Sequence, residues 1–137
     1  MIPEIRRILS PVYPGLHDDQ SVLKRLHVPG MDVNTFFLSH HLPETSDDQM
    51  SKCNEHEAGM IVELCSYLRR NGIAPEKITA LTFYNGQRKL IEKKLSRSRL
   101  YGEKRPLVVT VDSYQGEENE IVLLSLVRSN VSRISIS

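Results

Sequence analysis

Apolar and polar positions fall in alternating blocks along this chain, and the sharpest blocks lie late. Leu107 to Val111 and Ile121 to Val127 are rich in Val, Ile and Leu, with the composition and length of buried strands. The polar stretch between them, Asp112 to Glu120, reads as a loop at a strand's end, where open α/β sheets bind ligands. It offers backbone groups at Gly116, an amide at Gln115 and carboxylates at Asp112, Glu117, Glu118 and Glu120. Its plainer reading is a solvated strand connector.

Upstream, Pro3, Glu4, Ile5, Ile8 and Leu9 predict a short helix ending near Pro11. Ser10 to Gly30 is loop-like, with one turn around Val22 to Leu26. Val33 to Ser39 carries aromatic and β-branched residues and predicts a first strand, followed by a polar run, His40 to Lys52, read as an exposed loop. Asn54 can cap a helix, with Glu57 at the spacing of a capping box. Ala58, Ile61, Val62, Leu64, Cys65 and Leu68 then recur at helical spacing. Arg69 and Arg70 suit the negative helix end, and Gly72 closes it. Pro75 leads into a second strand, Ile78 to Phe83. After a turn at Tyr84-Asn85-Gly86, a helix from Gln87 to Leu100 sets Leu90, Ile91 and Leu95 against Arg88, Lys89, Lys93, Lys94, Arg97 and Arg99.

The order strand, helix, strand, helix, strand, loop, strand predicts an α/β fold with a mostly parallel, doubly wound sheet. The 137 residues suffice for one domain with a sizeable core; residues 1–31 read as a connecting helix and loop and 32–130 as the sheet core.

Composition narrows the classes. Charged residues at 26% and hydrophobic ones at 39% are ordinary globular usage, which argues against a disordered chain. A net charge of +1 supplies no global basic field, so nucleic-acid contact needs a local patch, for which the cationic helix face is the candidate. No apolar run is long enough to span a bilayer and the first residues lack a secretory core, so an intracellular protein, nuclear or cytoplasmic, is expected. Cys53 and Cys65 lack metal-site spacing and read as reduced thiols. His40 and His41 are adjacent, so on a strand they would face opposite ways; both read as surface histidines and no metal site is expected.

Val111-Asp112-Ser113-Tyr114-Gln115-Gly116-Glu117-Glu118, followed by a strand ending Val127-Arg128-Ser129-Asn130, resembles motif V of superfamily 1 helicases of the up-frameshift type. Met1-Ile2-Pro3-Glu4-Ile5, the run Ser51 to Ala58 (S-x-x-N-x-x-E-A) and Thr82 to Gln87 (T-x-Y-x-G-Q) are similar to further pieces of the same pattern. The resemblance covers nearly the whole chain and is strongest to the NFX-type zinc-finger-containing helicases, whose fungal relatives act in RNA interference and heterochromatin assembly. It implies the second, C-terminal RecA-like domain of an ATP-dependent RNA or DNA helicase, with a P-loop NTPase type of sheet. Glu118 would accept a hydrogen bond from the ATP ribose, Gly116 would let the backbone pass close to nucleotide, and Gln115 would relay between nucleotide and nucleic acid. Thr82, Tyr84 and Thr110 would contact single-stranded RNA or DNA; with such a partner in view, Arg88 and Lys89 of the cationic helix face become phosphate-contact candidates. Tyr84 reads equally well as a core aromatic.

Two departures bear on activity. The family's arginine before the position of Met1 and a later one beyond Asn130 are absent, and Val131 to Ser137 looks foreign to the family, so the chain reads as a piece of a longer protein. No G-x-x-x-x-G-K-[ST] occurs. The phosphate cradle and the Mg ligands would therefore come from an N-terminal RecA-like domain, and no catalytic residue is expected within these residues. Isolated, the chain is expected to be inactive. Two other classes stay open: a catalytically inactive RNA- or protein-binding module, and an unrelated small α/β domain using the acidic 112–120 loop for a metal.

Overall fold

A computed structural model of the chain describes residues 7, 8, 10–15, 17, 20, 26–99, 101, 102 and 104–128. The chain divides into two compact units, Met1–Leu38 and Ser39–Ser137. In the first unit Arg7 and Ile8 are helical, in keeping with the expected first helix, whose other residues are mostly outside the described set; the turn expected at 22–26 lies outside it except for Leu26. Further on, Met31 N–H donates to the Val28 carbonyl and Asn34 Oδ1 accepts from Val28 N–H.

The strand expected over Val33 to Ser39 does not form; the segment is irregular, and Val33, Phe37 and Leu38 are exposed. Strand propensity needs a hydrogen-bonded neighbour to act on, and among the described residues none is paired with this run. The polar run that follows is more ordered than expected. Thr45–Ser46 (β1) pairs antiparallel with Lys52–Cys53 (β2). The turn between them is closed by Asp47, whose Oδ1 accepts from the N–H groups of Gln49 and Ser51, a local turn that Asp favours.

Helix α1 spans Glu55–Arg70. Its end is a Schellman closure, with Gly72 N–H donating to the Arg69 carbonyl and Ile73 N–H to the Leu68 carbonyl, and Gly72 takes the left-handed φ of +90° that this requires. A 3-10 turn at Pro75–Lys77 leads into β3, Ile78–Thr82, and helix α2 follows at Asn85–Ser96. Two further strands, β4 at Leu107–Thr110 and β5 at Ile121–Ser125, complete the unit.

The three later strands form one all-parallel sheet in the order β4-β3-β5. Register places Ile78 and Ala80 of β3 beside Ile121 and Leu123 of β5, and Ala80 beside Val108 of β4. That face meets α1 and α2, whose Ala58, Ile61, Cys65, Leu68, Ile91 and Leu95 complete the core. Each buried Leu or Ile side chain there contributes about 1.5 to 3 kcal/mol. Cys65 is a free thiol pushed up to about 12 by burial. Its carbonyl accepts from the Tyr101 hydroxyl at 2.6 Å, and burial likewise pushes that phenol up to about 12.

The opposite face is different. Leu107, Val122 and Leu124 project there, and Val122 and Leu124 remain 45% and 49% exposed. The continuous apolar run of β5 therefore alternates in burial, although its composition reads as buried on both sides.

Candidate nucleotide and nucleic-acid site

Because β4 and β5 both run parallel to β3 from either side of it, the 111–120 segment must carry the chain the length of the sheet. It leaves the C-terminal edge, where Val111 N–H donates to the Thr82 carbonyl, and makes a 3-10 turn at Asp112–Tyr114. It then crosses the face opposite the helices and arrives at the N-terminal edge. There Asn119 Nδ2 donates to Thr79 Oγ1 at 2.9 Å and to the Glu76 carbonyl at 3.0 Å, and Lys77 pairs with Glu120 at 3.2 Å. The loop expected at a strand's end does begin at the C-terminal edge, but only its first residues stay there. A connection between parallel strands cannot turn back locally, which is the physical reason.

This path separates the predicted site residues into two groups. Gln115, Gly116 and Glu118 lie along the returning segment and are exposed. Gly116 has φ +82°, a conformation that side chains with a Cβ rarely adopt. Neither Gln115 nor Glu118 makes a hydrogen bond or ion pair among the described residues, so both remain available to a ligand. Thr82, Tyr84 and Thr110 sit at the C-terminal edge, where Thr82 and Thr110 are register partners. Thr110 is half-buried, with its hydroxyl 3.1 Å from Ser113 Oγ. Thr82 has no accessible surface; its hydroxyl accepts from Tyr84 N–H at 3.4 Å. Tyr84 is half-buried and is the residue before α2.

The cationic face of α2 is partly neutralised. Arg88 donates to Asn85 and to both oxygens of Glu92, Lys94 pairs with Glu55 at 2.5 Å, and Lys89 donates to the neutral Gln49. Exposed pairs of this kind are weak and exchange readily for other partners.

What the sequence does not announce is a buried polar cluster at the same C-terminal edge. Gln87, with no accessible surface, accepts from Asn54 N–H at 2.8 Å and donates to the Asn54 carbonyl and to Ser125 Oγ. Asn54 Oδ1 caps α1 by accepting from Glu57 N–H, while its amide donates to the carbonyls of Leu42 and Val127. The expected capping box is therefore half-formed: Glu57 does not reach back to Asn54. Its carboxylate instead accepts from Ser125 Oγ at 2.5 Å, from Val127 N–H at 2.8 Å and from His40 Nε2 at 2.8 Å. Burial alone would raise the Glu57 carboxyl, but those three donors outweigh it and hold it below its ordinary 4.5. His40 is accordingly no surface histidine; it is largely covered, with its ring edge against His56. His41 is exposed as expected.

Two signals could have located this cluster. Gln87, Ile91 and Leu95 follow one another at four-residue spacing, which puts the amide on the buried face of α2. Ser125 stands in the period-two series with Ile121 and Leu123. Gly86 is a third missed position, because a Cβ there would lie 2.9 Å from Asp47 Oδ2 and 3.1 Å from Ser51. Its N–H donates to Ser51 Oγ, tying α2 to the β1–β2 hairpin.

Among the described residues no group of three His, Cys, Asp or Glu could hold a metal ion. None of the described helices is long and apolar enough to cross a membrane.

Comparison with known proteins gives this geometry a context. The chain is 50% identical over 132 residues to Helicase required for RNAi-mediated heterochromatin assembly 1 of Schizosaccharomyces pombe, covering 95% of this chain and 13% of that protein. It is 46% identical over 132 residues to mouse NFX1-type zinc finger-containing protein 1, covering 95% of this chain and 7% of that protein. Over 100 residues, 69% of this chain and 8% of the relative, it is 34% identical to the Arabidopsis thaliana Regulator of nonsense transcripts 1 homolog. The chain thus spans about an eighth or less of the length of these relatives. The AAA domain family matches residues 1–136, and the chain belongs to it as an α/β domain of the superfamily 1 helicase kind.

Proposed function

We propose that this chain is the C-terminal RecA-like domain of an ATP-dependent RNA helicase, contributing half of an ATP cleft and part of a single-strand track. The observation that carries the reading is the division of polar groups along one parallel sheet. A strand-end group of Tyr84 and Thr110 stands at the C-terminal edge, and the segment leading through Gly116 to Glu118 leaves that edge and runs back along the sheet to Asn119. Such a layout suits a domain that touches nucleic acid at one edge and nucleotide towards the other. Gln115 lies on the segment between them.

In this reading Thr110 and Tyr84 meet the backbone of the strand directly. Thr82 acts from beneath by holding Tyr84, and Arg88 and Lys89 add phosphate contacts once they leave their weak local partners. Glu118 accepts from the ribose of ATP and Gly116 keeps the backbone close to the nucleotide. ATP with Mg supplies the phosphoryl chemistry when bound. The residues that hold its phosphates and metal belong to an N-terminal RecA-like domain, because this chain has no P-loop. The whole protein is then an intracellular ATP hydrolase whose partner is single-stranded RNA.

Fluorescence anisotropy with labelled single-stranded RNA tests the track. The full chain is expected to bind weakly, and binding should fade steeply as salt rises. Binding that ignores salt, or survives Arg88→Ala with Lys89→Ala, would remove the track from the proposal. For the cleft, Glu118→Gln in a protein carrying both RecA-like domains should raise the Michaelis constant for ATP by roughly ten- to a hundredfold; an unchanged constant, with Glu117→Gln damaging instead, would refute the nucleotide assignment.

A further inference from the structure

The end of β5 holds a β-branched residue at positive φ. Val127 has φ +70°, and Arg128 N–H donates to the Leu126 carbonyl at 2.8 Å across it. This is a γ-turn of the positive-φ kind, rare and strained, and a β-branched residue is among the least suited to its centre. Strain of this kind persists only where the surroundings over-determine it. Here they do. Val127 N–H is held by Glu57 in the first turn of α1 and its carbonyl by Asn54, the cap of that helix, and its side chain is fully buried.

The turn decides where the next residue points. Arg128 is 51% exposed, and its Nε lies 3.5 Å from Oε1 of Glu44, a side chain only 9% exposed. A carboxylate at Nε grips a guanidinium from the side and leaves both terminal amino groups free, the fork that matches phosphate. Among the described residues those amino groups meet no acceptor, and Glu44 Oε2 is buried without a donor. Arg128 follows the C-terminal end of β5, whose Ser125 is in register with Thr82 and, through it, with Thr110.

We propose that Arg128 is a backbone-phosphate contact on the nucleic-acid edge, and that Glu57, Asn54 and Glu44 are its positioning residues, acting through the strained turn at Val127. The proposal rests on the nucleic-acid reading above and adds to it a cation outside α2, one that the helix pattern does not reveal.

The test is anisotropy of a labelled single-stranded RNA with the full chain, across a salt series. Arg128→Ala should weaken binding roughly tenfold and lower the slope of log affinity against log salt by about 0.7, the share of one phosphate on a single strand. Arg128→Lys keeps the charge but not the fork, so it should restore the slope and only part of the affinity. Glu57→Gln should weaken binding as Arg128→Ala does, and the double variant should lose nothing more. Val127→Gly, which adopts the turn without strain, should restore binding to the Glu57→Gln protein. Should Glu57→Gln unfold the chain, Glu44→Gln takes its place, with a smaller loss that also vanishes in the Arg128→Ala background. Arg128→Ala with wild-type affinity and slope overturns the proposal while leaving the track of Arg88 and Lys89 standing. Additive losses overturn the positioning role. If the wild-type chain binds no RNA at all, the nucleic-acid reading falls and this proposal falls with it.

Discussion

The two polar regions of the sheet unit face opposite demands. At the C-terminal edge, Asn54, Gln87 and Ser125 are buried and their hydrogen bonds are reciprocal: each amide or hydroxyl both gives and receives. Along the 111–120 crossover, Gln115, Gly116 and Glu118 lie in solvent. A buried polar group left without a partner costs its full desolvation, whereas an exposed one exchanges water for ligand at little cost. The first region is therefore built to hold helices and strands in place, and the second, in the proposed reading, to meet a ligand. Polar residues in a motif need not share a role.

Substitutions should expose that contrast. Glu57→Ala removes the acceptor for Ser125, Val127 and His40 and should cost on the order of 3 kcal/mol in a urea melt. A loss under about 0.5 kcal/mol would mean the cluster is not the anchor. The same carboxylate sets a pH signature. Its folded-state pKa lies below 4.5, so its contribution is present above pH 4.5 and is lost as pH falls from there through the folded value. Wild-type stability should drop in that acid window, and Glu57→Gln should flatten the drop.

Gly86→Ala is expected next in size, at about 2 kcal/mol, since its Cβ would press on Asp47 and Ser51; thermal melts with Gly59→Ala alongside, where a Cβ meets nothing within 4 Å, separate crowding from helix propensity. Smallest are changes on the crossover. Gly116→Ala should cost about 1 kcal/mol, from its φ of +82° alone. Glu118→Gln should move stability by less than about 0.5 kcal/mol, even though nucleotide binding is where it is expected to tell. A Glu118→Gln protein that melts as early as Glu57→Ala would erase the distinction between the two regions.

Much of the fold was legible because periodicity and end signals are local. The α1 stripe from Ala58 to Leu68, its closure at Gly72 and the strands at 78–82, 107–110 and 121–125 all follow from spacing and from turn residues. Val33 to Ser39 has equal propensity and forms no strand, since pairing is a property of two segments. His40 looked like a surface residue because nothing in its neighbourhood announces Glu57, seventeen positions away.

The sequence by itself determined the α/β class, the two helices and three parallel strands of the larger unit and the motif that marks a superfamily 1 helicase domain, all consequences of composition and short-range spacing. Only the tertiary structure decided that the motif's loop runs back along the sheet, that Asn54, Glu57 and Gln87 meet Ser125 and Val127, and that Val127 is held at φ +70°. Those facts depend on contacts between residues 33 to 73 positions apart, and no local preference encodes which partner a buried donor will find.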